Sequence, residues 1–182
     1  MRVPLNCTIG PEAVAAAGLE PMMRSAAFRA AVLPALEELP PSLRVSLPQL
    51  GTILTLMVEG ARGGRSHWAG YLATLPPDDE TGAALLWPPA QLRWLEGTGL
   101  PEMRRGVLRA VRQCWAAAAP WLAPRAGEWA AGGGAVGEAA LLRAWALFAA
   151  RHFVLDARAE DARGAARGAA RHEARMVPGL DL

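Results

Sequence analysis

The sequence predicts a mainly α chain. Three observations carry this. Apolar residues recur at three- and four-residue steps through most of the 182 residues. Pro, Ser and Gly stand where such periodic stretches begin and end. No run alternates apolar and polar residues long enough for a strand, and only Met176-Val177 and Arg2-Val3 hint at extended chain.

Pro11-Glu12 opens a short Ala-rich helix that Gly18 stops. Pro21 to Leu39 carries Met22, Phe28, Val32, Leu36 and Leu39 on a helical stripe. Pro34 is expected to break it in two, and Pro40-Pro41 to end it. Ser46 is a good N-cap, with Pro48 in the first turn. The helix after it is apolar nearly all round through Leu50, Ile53, Leu54, Met57 and Val58, so it belongs at the centre of a core. The Gly-rich stretch from Gly60 to Gly64 terminates it.

Ser66 is expected to cap a helix from His67 to Leu75, with Trp68, Tyr71, Leu72 and Leu75 on one face. Pro76 to Gly82 reads as a solvated loop. Pro88-Pro89 starts a helix through Leu92 and Leu95 that Gly97 closes. Pro101 to Ala119 forms a long helix with Val107, Val111 and Trp115 inward, and Glu138 to Phe153 another with Leu141, Trp145, Phe148 and His152 on its stripe. Trp68, Trp94, Trp115 and Trp145 each fit an apolar face, so core packing explains most of the seven Trp.

The composition narrows the function. There are 39 Ala, 19 Arg and no Lys, yet the net charge is only +2, so the chain is no polycation built for nucleic acid. The longest apolar run, from Leu47 to Val58, is 12 residues, short of the ~20 a bilayer needs, so no membrane span is expected. Cys7 and Cys114 form no CxxC pair, and the first residues lack the apolar core of a signal peptide. A reducing, intracellular compartment such as the cytoplasm is expected. The Arg-bearing stretch from Asp156 to Arg175 reads as a solvated linker.

Few side chains suggest chemistry by spacing. His67, His152 and His172 share no metal-ligand pattern, so no metal site is expected. Gly132-Gly133-Gly134-Ala135-Val136-Gly137 fits GxGxxG and leads into a helix. No strand precedes it, so a flexible loop is favoured over a nucleotide site.

Read as a string, the chain is more specific. The segment His67-Trp68-Ala69-Gly70-Tyr71-Leu72-Ala73-Thr74-Leu75-Pro76 resembles the W-x-x-Y-L-x-x-L-P stretch of SET-domain methyltransferases of the Rubisco large-subunit type. Ala84-Leu85-Leu86-Trp87 is similar to the P-L-x-W that follows there, and Leu95-Glu96-Gly97-Thr98-Gly99-Leu100 to its L-x-G-T-x-L turn. Ala144 to Phe153 fits A-W-x-x-V-x-S-R-x-F, with Ala150 in place of Ser. Val177 to Leu182 resembles the start of V-P-x-x-D-x-x-N-H, and Val3-Pro4 the V-P that ends the first SET strands.

The resemblance implies a fold, a cofactor and a partner. Residues 1–10 would be a fragment of the SET core, 11–155 the helical insert, 156–175 an Ala/Arg-rich linker and 176–182 the start of the returning core strand. The activity would be methyl transfer from S-adenosylmethionine to a lysine, or a histidine, of a protein substrate. Arg151 would hold the cofactor's carboxylate, a task suited to a permanently charged fork. Pro178 and Asp181 would edge the cofactor motif. The Asn-His pair and the Tyr-bearing segment of the family are not among these residues, so no catalytic residue is assigned and the chain alone is expected to be inactive. Two readings from other classes stay open. One is a non-catalytic helical interaction module, the other a nucleotide-binding protein using Gly132 to Gly137.

Overall fold

Every residue from Leu50 to Glu59 is buried, which sets the architecture. The computed structural model describes residues 9, 11–77, 83–156 and 172–176, and for 11, 151–156 and 172–176 it describes the backbone. The chain runs α1 (Pro11–Ala16), α2 (Glu20–Arg24), α3 (Ala26–Glu37), α4 (Leu47–Arg62), α5 (Ala69–Leu72), α6 (Pro89–Leu92), α7 (Leu100–Ala130), α8 (Glu138–Arg151), β1 (His152–Asp156) and β2 (His172–Met176). It is mainly helical.

Helix α4 is the axis. Ser46 starts it with a capping box: its Oγ accepts from the Gln49 N–H at 3.4 Å, and its own N–H donates to Gln49 Oε1 at 2.7 Å. Leu50, Ile53, Leu54 and Val58 have no exposed surface, and each such side chain contributes ~1.5–3 kcal/mol by leaving water. The buried Thr55 hydroxyl donates back to the Gly51 carbonyl at 2.9 Å, so it carries no unmet donor. Helices α1, α5, α7 and α8 pack around α4, and α3 lies along α7.

Several boundaries differ from the sequence expectation. The break in the second periodic stretch falls at Ser25, not Pro34. Ser25 is extended (φ −61°, ψ 127°), and its Oγ accepts from Phe28 N at 3.4 Å, which caps α3. Pro34 stays inside α3 because it and Ala30, whose carbonyl loses a donor, are both exposed and water can serve that oxygen. Likewise α7 continues past Ala119 to Ala130 through Pro120 and Pro124. Ala116, Pro120 and Pro124 share the exposed face, so the missing hydrogen bonds fall where solvent replaces them. The His67–Leu75 stretch makes only the one-turn α5, because Trp68 sits at φ −100°, ψ 19° and Gly70 is a weak helix former.

At the other end α8 stops at Arg151, two residues before the expected Phe153. His152 instead begins an antiparallel ladder with register His152↔Met176 and Asp156↔His172. Asp156 and His172–Arg175 therefore lie in paired backbone within the stretch whose composition reads as linker. The β-branched and aromatic residues Phe153 and Val154 suit this extended backbone. Strand β2 runs beside α4.

Candidate functional site

The segments that carry the family resemblance are far apart in sequence and meet around α8. On one side of α8, Ala144 and Leu147 share a groove of about 640 Å³ with Ala69, Leu72 and Leu75. Arg143 Nη2 donates to the Pro76 carbonyl at 3.1 Å across the same groove. On the other side, Ala146, Ala149 and Ala150 share a recess of about 290 Å³ with Ala84, Leu85 and Leu100. Arg104 fixes that side by donating from Nε to the Ala84 carbonyl at 3.0 Å and from Nη2 to the Leu85 carbonyl at 3.3 Å.

The floor and one wall of the larger groove come from the end of α4. Glu59, 2 % exposed, organises this end. Its Oε1 accepts from Arg62 Nη1 at 2.5 Å and its Oε2 from Ser66 Oγ at 2.7 Å. Ser66 Oγ in turn accepts from the Trp68 N–H at 3.0 Å. A single carboxylate thus ties α4 to the entry of α5. Ser66 was expected as a simple N-cap; Glu59 was not anticipated as a site residue at all. Its signal was one acid ending a long apolar helix, with Arg three residues on.

The Gly132–Gly137 run is a loop, as its composition predicts, and two of its glycines lie hard against the end of α4. Gly134 N–H donates to the Ala61 carbonyl at 3.2 Å. A Cβ on Gly132 would lie 1.8 Å from the Arg62 oxygen, and one on Gly134 2.6 Å from Ala61 Cα. Gly63, at φ +51° where α4 ends, faces Gly132 in the same way, with a Cβ 2.5 Å from its oxygen. These glycines let two backbones touch. Helix α7, not a strand, leads into the run, which is not the strand–turn–helix geometry of a dinucleotide site.

Of the residues assigned by resemblance, Arg151 is the last residue of α8, and its side chain lies outside the described atoms. Pro178 and Asp181 lie outside the described residues. The ladder does place Met176, two residues before Pro178, opposite His152, the residue after Arg151. The two described cavities each hold one guanidinium, Arg143 or Arg104, and no acid to receive an amino group or ribose hydroxyls. They do not fit S-adenosylmethionine by themselves.

Cys114, 1 % exposed on α7, has its thiol pushed up to about 12 by burial, so it packs as a small hydrophobe. Trp145 and Trp129 are buried, but Trp94 is 79 % exposed, against the expectation that it faces the core. The neighbouring Leu95 takes the inward position instead. Among the described residues no group of three or more His, Cys, Asp or Glu could hold a metal ion, and no helix is long and apolar enough to cross a membrane. Set against protein-family profiles, curated proteins and solved structures, the chain matches none.

Proposed function

We propose that residues 11–155 are the helical insert of a SET-type protein N-methyltransferase, which moves a methyl group from S-adenosylmethionine to a lysine, or a histidine, of a protein substrate. The observation that carries the reading is the convergence on α8. The stretch 144–153 borders the 67–76 segment on one side, the 84–87 and 95–100 segments on the other, and Met176 at its end. Motifs that only resemble a family one at a time gain weight when they share one place. In this reading Arg151, at the α8–β1 junction, takes the cofactor's carboxylate, with Pro178 and Asp181 at the edge of the same site. Positioning and electrostatic alignment do most of the work in such a step, so residues that hold the cofactor are the ones to test first.

Titration of the chain with S-adenosylmethionine tests this. Weak binding that Arg151→Ala abolishes supports the reading; equal binding by both chains sinks the assignment of Arg151. The second reading, a non-catalytic helical interaction module, is favoured by the apolar, small-residue lining of the larger groove. It predicts no cofactor binding.

A further inference from the structure

We propose that the face carrying Trp94 binds a second copy of this chain, forming a two-fold dimer. The indole of Trp94 is 79 % exposed, the most exposed large apolar side chain among the described residues. A tight turn joins it to Leu100, itself 45 % exposed. In that turn the Glu96 N–H donates to the Arg93 carbonyl at 3.1 Å, and the Thr98 hydroxyl to the Leu95 carbonyl at 2.6 Å. Leu100 is also a rim residue of the 290 Å³ recess, whose walls include Leu43, Leu85 and Met103. That volume is at the low end for a ligand pocket and suits one inserted side chain better than a peptide. Knob and hole therefore lie at one end of α7. A two-fold axis needs both on one patch, so that each copy gives its knob and receives the other's.

The charges beside the knob select the occupant. Arg93 and Glu96 flank Trp94, both are exposed, and neither side chain makes a hydrogen bond or ion pair among the described residues. Opposite charges three residues apart are self-complementary across a two-fold axis, because Arg93 of one copy can meet Glu96 of the other. A uniformly basic or acidic rim would repel its own copy. The patch is small, so association is expected at the weak end, with a dissociation constant on the order of 10–100 μM. The proposal is independent of the methyl-transfer reading.

Sedimentation equilibrium of the full chain, with circular dichroism to confirm folding, tests it. The wild type should pass from monomer to dimer and stop at two. Trp94→Ala should weaken the dimer about thirtyfold, as loss of a central aromatic anchor does. Arg93→Glu and Glu96→Arg should each weaken it about two- to fivefold, and the double reversal should restore it. A wild type that stays monomeric to ~1 mM, well above that expected range, overturns the proposal. So does a Trp94→Ala chain that dimerises unchanged, a double reversal no better than the single ones, or a series that grows beyond two copies.

Discussion

Replacing Arg62 with alanine leaves the Glu59 carboxylate 2 % exposed and without its cation. Ser66 still donates to Oε2, but one hydroxyl cannot balance a buried charge. Removing one partner of a buried pair costs ~3–5 kcal/mol, and at ~2–4 °C per kcal/mol for a chain of this length the midpoint should fall by roughly 6–20 °C. Glu59→Leu acts differently. It removes the charge and leaves Arg62, whose side chain is 25 % exposed and can turn to water. Its cost is the unmet Ser66 hydroxyl, ~1–3 kcal/mol, partly offset by added apolar burial. The double variant Glu59→Leu with Arg62→Ala should therefore be more stable than Arg62→Ala alone, by ~1–3 kcal/mol. Urea unfolding of the four chains measures this. A double variant as unstable as the sum of the single ones would refute the view that the penalty is an unpaired charge.

Other outcomes follow from the geometry. Gly132→Ala should destabilise by ~2–4 kcal/mol in urea unfolding, because a new Cβ meets the Arg62 carbonyl at 1.8 Å and neither backbone can yield cheaply. Gly133→Ala, in open space but at φ +91°, should cost only ~1–2 kcal/mol. Ser46→Ala should cost ~1 kcal/mol through loss of the capping box. In a Cys7→Ser background the folded chain should resist iodoacetamide at pH 8.5 and react after unfolding, since Cys114 titrates at about 12 when buried. The folded state holds this proton more tightly than the unfolded state, whose thiol titrates at 9.0. The resulting stability is complete below pH 9 and is lost as pH rises toward 12, by up to ~1.4 kcal/mol per pH unit.

The parts of the fold that local chemistry dictates were legible in the sequence. Ser46, the apolar run to Val58 and the Gly60–Gly64 stretch bracket α4, which ends within that stretch at Arg62, because cap, periodicity and terminator agree. Pro34 as a helix break and Ala119 as the end of the long helix were misread because a proline's effect depends on whether its face meets water, and sequence alone does not supply that. Trp94 was misread for a related reason, since two adjacent apolar residues in a short turn compete for one inward position and Leu95 takes it. The site was less legible than the fold. Glu59 and Ser66 meet only because the chain turns back at Gly63, and the glycine run has its meaning from the Arg62 carbonyl it touches, 70 residues earlier. That the resembling segments border α8 emerges only from the packing.

The central position of α4 also fixes the order in which the molecule opens. Its amides from Leu50 to Glu59, enclosed on all sides, should exchange with deuterium only through global unfolding. Helix α5, a single turn from Ala69 to Leu72 with no fully buried side chain, should exchange through local fraying. The larger groove therefore has unequal walls. The α4 and α8 sides should hold their shape while the α5 side exchanges faster, so anything that enters the groove should meet one adaptable wall.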